Sequence, residues 1–279
     1  MEYIDWILMV LLGVFSGAYG VLVGAGGGFI LSPMLLLLFD TEEPEMVAGT
    51  VLAAIAINSI LVAIRYIRMK VVDYRSALLF AGAAAPGAVI GAFGVSAVAP
   101  EIFRTLFGIL LLLLALQLAF RPNIVRVLRI GQARRLISLP VSQRHITTAT
   151  GQEYRYEFNE TLATSFNVVL GFISSFFGIG GGFLRTPVLV LAFGFPVRIA
   201  AASSVFALAI YGSAGALTHG YLGNIELFPT LLFIGTGLAA GGQIGAMLSG
   251  RIGGVWVMRM LLVVVFLLGV RLIWQGVAG

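Results

Sequence analysis

The sequence predicts an all-α polytopic membrane protein built from two homologous halves. Of its 279 residues, 59% are hydrophobic and 10% are charged, whereas a soluble globular chain carries about 25% charged residues. Several apolar runs approach or exceed the roughly 20 residues that cross a hydrocarbon core of about 30 Å, and a glycine-rich element recurs in the second half. This composition excludes a soluble enzyme, a nucleic-acid-binding domain and a disordered chain.

The repeat divides the chain in two. Residues 24–29 read Gly-Ala-Gly-Gly-Gly-Phe and are followed by Pro33, while residues 178–183 read Gly-Ile-Gly-Gly-Gly-Phe and are followed by Pro187. The same offset of 154 residues aligns further positions, namely Thr50 with Ser204, Ser59 with Ser213, and residues 90–92 with 244–246. The sequence therefore predicts a first membrane repeat over residues 1–120 and a second over 161–279.

Each half contains four apolar blocks. They cover residues 6–39, 46–64, 76–98 and 102–120, and then 161–194, 199–218, 228–249 and 255–275. The first block, as one helix, would be about 51 Å long, too long for one upright span and too short for two. The glycine triplet interrupts it, and non-helical backbone at that depth needs protein or a water-filled cavity around it. Each half is therefore predicted to hold a glycine-broken, re-entrant helical hairpin and three transmembrane helices.

Charges decide how the halves are oriented. Residues 121–160 hold seven arginines and three glutamates, which predicts a basic cytoplasmic linker, because positive loops stay in the cytoplasm. If each hairpin returns to its own side, each half has three spans and the halves are inverted, with both termini outside. If each first block crosses once, the halves are parallel. The loop 219–227 lacks Lys and Arg, so the charges favour the inverted arrangement.

The two glycine triplets are candidates for an anion-binding site. A glycine triplet that opens a helix leaves backbone N–H groups uncapped at the positive end of the helix dipole, where anions bind. The candidate binding glycines are Gly26, Gly27, Gly28, Gly180, Gly181 and Gly182, and the structural positions of the motif are Gly24, Pro33, Gly178 and Pro187. The alternative is that these glycines only let helices pack closely.

Arg185 and a set of polar side chains extend this candidate site. Arg185 follows Gly182 by three residues, and its apolar block contains no carboxylate. A charge near the bilayer centre costs about 2.5–3.5 kcal/mol and normally faces a cavity or a partner, so an anionic substrate is one candidate partner, and a position at the membrane edge is the alternative. Polar candidates that either bind substrate or bond neighbouring helices are Thr50, Asn58, Ser59, Ser203, Ser204, Tyr211, Ser213 and Gln243.

Coupling and cofactors leave a weaker signal. Asp73 and Glu226 occupy near-equivalent loops and are either proton relays or solvated carboxylates, and His219 also reads as a loop residue. The chain has no cysteine, and its two histidines, His145 and His219, are far apart. The sequence thus predicts no metal site and no cofactor, with proton coupling and homo-oligomerisation left open.

The doubled Gly-x-Gly-Gly-Gly-Phe…Pro element resembles that of the TauE/SafE sulfite exporter family. The motif positions that carry the resemblance are Gly24, Gly26, Gly27, Gly28 and Pro33 in the first half, and Gly178, Gly180, Gly181, Gly182 and Pro187 in the second. The resemblance implies a multi-pass carrier in the inner cell membrane for sulfite or a related sulfur-containing or organic anion.

The function expected from these observations is secondary transport of a small anion, by alternating access, with the anion bound between the two glycine-rich breaks. Sulfite or an organosulfonate is the expected substrate, and export is the expected direction. The alternatives are an anion channel and a carrier of another small organic anion. A membrane-embedded enzyme is disfavoured, because the sequence offers no metal-ligand cluster, activated nucleophile or paired intramembrane carboxylates.

Overall fold

Helices dominate the chain. The structure, a computed structural model, describes residues 3–23, 26–38, 43–119, 141–248 and 254–278. Its elements in order are α1 (Tyr3–Val23), α2 (Gly28–Leu38), α3 (Pro44–Arg68), α4 (Tyr74–Val95), α5 (Pro100–Ala119), β1 (Val141–Thr147), β2 (Glu153–Asn159), α6 (Glu160–Phe176), α7 (Gly182–Leu191), α8 (Val197–Tyr221), a π-helical turn (Leu227–Leu231), α9 (Leu232–Leu248) and α10 (Gly254–Ala278).

Six helical segments in the described part of the chain are long and apolar enough to cross a membrane. They are Ile4–Val21, Pro44–Arg68, Tyr74–Val95, Pro100–Gln117, Val197–Tyr221 and Leu227–Gly245. This confirms the predicted polytopic, mostly helical membrane protein. One element was not predicted: β1 and β2 form an antiparallel hairpin in which Val141 pairs with Asn159 and Thr147 with Glu153. The hairpin occupies the end of the expected linker, whose residues 121–140 lie outside the described residues.

The helix pairs α1–α9 and α4–α6 join the halves in parallel, and glycines bring their backbones together. Along α1 and α9, Val10 lies against Gly237 and Ala18 against Gly245, so position numbers rise together on both helices. Along α4 and α6, Gly87 lies against Val168 and Gly91 against Phe172. At these glycines an added Cβ would meet a carbonyl oxygen of the opposite helix, and such close approach is how small residues join membrane helices.

Two other helix pairs between the halves are antiparallel. On α3 and α8, Gly49 lies against His219 and Ala56 lies near Gly212. The helices α5 and α10 also run in opposite directions, with residues 101–105 against Gly276 and residue 112 against Gly269. Each of these pairs joins the second or the fourth apolar block of one half to the same block of the other half.

In each half, a side-chain hydroxyl accepts a backbone hydrogen bond just before a helix of the other half. The Thr50 hydroxyl of α3 accepts a hydrogen bond of 2.9 Å from the backbone N–H of Glu226, where the chain enters the π-helical turn before α9. The Ser203 hydroxyl of α8 accepts one of 2.9 Å from the backbone N–H of Asp73, where the chain enters α4. Thr50 of α3 thus lies near Glu226, just before α9, and Asn58 of α3 lies beside Gly242 of α9. Position numbers therefore rise together along α3 and α9, and the two helices run parallel.

The hairpin is fastened to the start of α4 by a buried polar network around Asp73. The Asp73 carboxylate caps α4 by accepting the Ser76 N–H at 3.1 Å, and it accepts the Tyr156 hydroxyl of β2 at 2.7 Å. Arg144 of β1 lies 3.4 Å from the same carboxylate and also pairs with Glu160. Burial, followed by the nearby Asp73 carboxylate, raises the pKa of the Tyr156 hydroxyl well above its usual range. The expected linker therefore ends in a β-hairpin that is hydrogen-bonded to the helical bundle.

Candidate functional site

Glycines with left-handed backbone interrupt the first apolar block of each half. Between α1 and α2, Gly26 and Gly27 have φ values of +78° and +97°, and the Gly26 N–H bonds to the Gly20 carbonyl at 3.2 Å. Between α6 and α7, Gly180 and Gly181 have φ values of +72° and +34°. Side chains disfavour these conformations, so both breaks require glycine. Gly24, the first motif position, lies outside the described residues.

The two glycine breaks meet. The rings of Phe29 and Phe183, which follow the two triplets, stack with centroids 5.2 Å apart. Gly28 of the first break faces the backbone of the second, since a Cβ at Gly28 would lie 2.8 Å from the Ile179 carbonyl oxygen. Both copies of the motif therefore lie side by side at the centre of the bundle.

Apolar side chains fill the space between the two breaks. Gly26 and Gly180 both face Ile55 of α3 and Leu208 of α8. A Cβ at Gly180 would lie 2.8 Å from the Ile55 Cγ2 atom. An anion held directly between the glycines would thus have to displace these two side chains, and the polar groups of the region lie to either side of them.

The remaining motif positions hold the breaks in place. Gly178, with φ +65°, packs directly on the backbone of Ala48 in α3. Its carbonyl accepts a hydrogen bond of 2.9 Å from the Ser32 hydroxyl of α2, which ties the first half to the second. Pro33 and Pro187 lie inside α2 and α7. These residues join the breaks to the surrounding helices.

Arg185 is buried beside the second break. Its side chain is 1% exposed, and its Nε donates to Asn167 Oδ1 of α6 at 2.5 Å. One terminal nitrogen donates to the Ser204 carbonyl at 3.4 Å, and the guanidinium carbon lies 4.7 Å from the centroid of the Tyr211 ring. No acidic side chain in the described ranges forms an ion pair with Arg185. A full positive charge is therefore held in the bundle by neutral groups.

Several hydrogen-bonding atoms around Arg185 have no hydrogen-bond partner in the described part of the chain. They are Arg185 Nη2, Ser174 Oγ, Ser204 Oγ and Tyr211 Oη, all buried. A Cβ at Gly181 would lie 2.5 Å from Tyr211 Oη and 3.3 Å from Ser174 Cβ, so these groups border the second glycine break. Buried donors without partners are costly, and together with the charge of Arg185 they form a site suited to an anion. Asn167 and Ser174 belong to this group and were not predicted.

A neutral polar group borders the first break. Ser16, Asn58 and Ser59 are all buried, and their side-chain oxygens and nitrogens lack partners. Ser59 Oγ lies 4.0 Å from the position of a Cβ on Gly26. Among the described residues, the two breaks thus differ in charge, because an arginine lies beside the second break and none lies beside the first.

The other predicted side chains have structural partners or lie elsewhere. Thr50 and Ser203 accept the backbone hydrogen bonds that close α9 and α4, and Ser213 donates to the Ala209 carbonyl of its own helix at 2.6 Å. Gln243 is half-buried on α9. The described residues include no group of three or more His, Asp or Glu side chains placed to hold a metal ion.

The candidates for proton relays occupy three different environments. Asp73 belongs to the hairpin network, and Glu226 accepts the Thr230 hydroxyl. The expectation that His219 lies in a loop is wrong: it belongs to the last turn of α8 and is fully buried. Helix α8 continues to Tyr221 and is followed by a turn at Gly223. The His219 side chain points into the protein interior.

Comparison with known proteins places these features in a family. The family model described as "Sulfite exporter TauE/SafE" matches residues 9–272. The chain is 29% identical to the probable membrane transporter protein YunE of Bacillus subtilis (strain 168), over 98% of this chain and 99% of that protein. It is 27% identical to the probable membrane transporter protein MJ0441 of Methanocaldococcus jannaschii, over 78% of this chain and 76% of that protein. No solved structure matches the chain significantly.

Proposed function

Because the chain belongs to the TauE/SafE sulfite exporter family, we propose that this membrane transporter carries a small anion, sulfite or an organosulfonate, out of the cell across the inner membrane. The observation that carries the proposal is the buried guanidinium of Arg185, with an unpartnered Nη2 atom beside a glycine break. A buried charge needs a compensating partner, and a small oxyanion supplies one.

The proposed binding site lies between α6, α7 and α8. Arg185 supplies the charge, Tyr211 and Ser204 supply hydroxyl donors, and the Gly180–Gly182 turn brings the start of α7 close. Arg185 suits sulfite and sulfonate because its Nη2 is left to donate charge-assisted hydrogen bonds, which are about twice as strong as neutral ones. Of the other predicted groups, Asn58 and Ser59 would contact the anion from the first half after Ile55 and Leu208 have moved, and Gln243 would contact it from α9.

Alternating access follows from an inverted repeat, which we propose for the two halves. Supporting this are the antiparallel pairs α3–α8 and α5–α10, because equivalent helices related by an axis in the membrane plane must run in opposite directions. The helices α1 and α3 both run parallel to α9, so the chain turns back along α2 between them. That course supports a re-entrant hairpin, and α7 is the equivalent short helix of the second half.

The test is transport in proteoliposomes with radiolabelled sulfite. A carrier gives saturable uptake and counterflow. We expect Arg185→Gln to raise KM roughly 10- to 150-fold, because a hydrogen bond to a charged group contributes about 1.5–3 kcal/mol. Arg185→Lys should recover part of the affinity, since it keeps the charge and loses the planar donors. Arg155→Gln, at a side chain 76% exposed on the hairpin, is the matched control and should leave KM unchanged.

Two results would contradict the proposal. Unsaturated ionic current through the liposome membrane would make the protein an anion channel. An unchanged KM in a folded Arg185→Gln variant would remove Arg185 from the binding site and leave the glycine breaks as its only candidates.

A further inference from the structure

His219 is a buried titratable group that the proposed anion site does not use. It is fully buried in the last turn of α8. Its Nε2 lies 3.1 Å from the carbonyl oxygen of Ser175, and its Nδ1 has no hydrogen-bond partner among the residues that the structure describes. Because a carbonyl oxygen only accepts, Nε2 must carry the hydrogen, and Nδ1 then keeps a free lone pair. The neutral ring is therefore able to take up one proton at Nδ1.

The ring is joined to the second glycine break. The same Ser175 carbonyl accepts the N–H of Gly178, the first glycine of the second motif, at 3.3 Å. On its other side, His219 packs against Gly49 of α3, where a Cβ would lie 3.0 Å from the His219 Cβ. Protonation of this ring would therefore alter the hydrogen bonding of the Ser175 carbonyl, which also holds the Gly178 turn before the Arg185 site.

Few charged groups surround His219. The elements packed against it are α3, α6, and the segment after α8, which reaches the end of α4 through a hydrogen bond from Asn224 to Ser96. The titratable groups near this end are Glu43, Glu45, Tyr221 and Glu226, with Glu101 and Arg104 in the first turns of α5. Arg185 lies on α7, which also packs against α8. The groups at the far ends of α3, α4 and α6 are Arg65, Tyr66, Arg68, Tyr74, Arg75 and Glu160. None of these forms an ion pair with His219 in the described part of the chain.

We propose that His219 is the proton-binding site of this transporter and that its proton crosses together with the anion. This inference rests on the proposed anion transport. Tyr211, which borders the Arg185 site, precedes His219 by eight residues of one helix, about 12 Å. At that distance, with an effective dielectric constant of about 20, the negative charge of an anion bound at the Arg185 site makes proton binding to His219 roughly tenfold tighter. Linkage is reciprocal, so the proton tightens anion binding by the same factor.

The first experiment observes the imidazole directly. The chain has two histidines, so protein labelled with nitrogen-15 histidine in nanodiscs gives two sets of ring signals. His145 is half-exposed on the hairpin and pairs with Glu153, so His145→Gln removes one set without touching the bundle. We expect the remaining set to shift as the sample is acidified through the range in which protein histidines titrate, because the ring takes up a proton at Nδ1. A ring that keeps one protonation state throughout would overturn the proton site, whatever the substrate.

The second experiment measures coupling. Methanesulfonate is the probe, because its charge does not change in this pH range. Bound methanesulfonate should move the His219 titration so that the proton is held roughly tenfold more tightly. In proteoliposomes, uptake of methanesulfonate should acidify the interior, and His219→Gln should abolish the acidification while His145→Gln preserves it.

The failures are distinguishable. Acidification that persists in His219→Gln would place the proton elsewhere and leave anion transport intact. Absence of transport of both sulfite and methanesulfonate by the wild-type protein would instead refute the proposed function, and the titration of His219 would still stand as a measured property.

Discussion

Removal of the Asp73 carboxylate should detach the hairpin from the bundle. In Asp73→Ala, helix α4 loses its N-cap, which costs about 1 kcal/mol. The Tyr156 hydroxyl loses a charged acceptor at 2.7 Å, and a hydrogen bond to a charged group contributes about 1.5–3 kcal/mol. The expected loss in the free energy of unfolding is therefore about 2.5–4 kcal/mol.

Two further variants divide this loss. Asp73→Asn keeps an oxygen that caps Ser76 but presents an amide to Tyr156, so it should lose only the second contribution, about 1.5–3 kcal/mol. Tyr156→Phe should lose a similar amount and spare the cap. Tyr154→Phe is the matched control, because this half-buried tyrosine lies on the same face of β2 and its hydroxyl has no hydrogen bond among the described residues.

Equilibrium unfolding in mixed detergent micelles measures these differences. The double variant Asp73→Ala with Tyr156→Phe should be less destabilised than the sum of the single variants, because both remove the same bond. Losses below about 0.5 kcal/mol, the range of ordinary surface substitutions, for both Asp73→Ala and Tyr156→Phe would refute the reasoning and make the hairpin a loosely attached linker.

Three other predictions concern the glycines and the topology. Gly181→Val should abolish sulfite transport while circular dichroism shows an intact helical protein, because φ +34° and the adjacent tyrosine oxygen exclude a side chain. Gly171→Ala should lower the thermal midpoint in detergent, because the methyl group would meet the backbone of α4. The control Gly82→Ala, at a position that faces open space, should leave the midpoint unchanged or raise it. Equal midpoints for the Gly171→Ala and Gly82→Ala variants would contradict close packing of α4 on α6. Single cysteines at Gln143 and Tyr221 should react with impermeant reagents from opposite sides of the membrane, and reaction of both from one side would contradict the inverted repeat.

The helical breaks were predictable because their cause is local. Each triplet lies in an apolar run too long for one span, and glycine adopts the left-handed backbone seen at Gly27 and Gly180 more readily than any other residue. The hairpin was not predicted, because its strands carry many polar and charged residues and the sequence read as a basic linker. The contact that holds the hairpin joins residues far apart in the sequence, because the Tyr156 hydroxyl donates to Asp73, which lies 83 residues earlier.

The candidate site shows the same division. The depth of Arg185 was left open by the sequence, and its position followed only once Asn167 and Tyr211 were brought to it from two other helices. Thr50 and Ser203 are hydroxyls on apolar helices, a pattern typical of either a site or a helix contact, and the structure gives both a backbone partner. His219 was misplaced because α8 ends at Tyr221, three residues beyond the predicted end of the apolar block at residue 218.

The pairing of α1 with α9 also has a consequence for biosynthesis. The face of α1 at Gly13 and Gly17 fits closely against the backbone of α9. Since α1 is synthesised before α9, this face must remain in the lipid, or against the insertion machinery, until α9 has been made. Helix α4 waits less long for its partner α6, because only α5 and the linker lie between them. Neither half is therefore a self-sufficient folding unit, and a chain truncated before α9 should be recognised by the cell as unfinished.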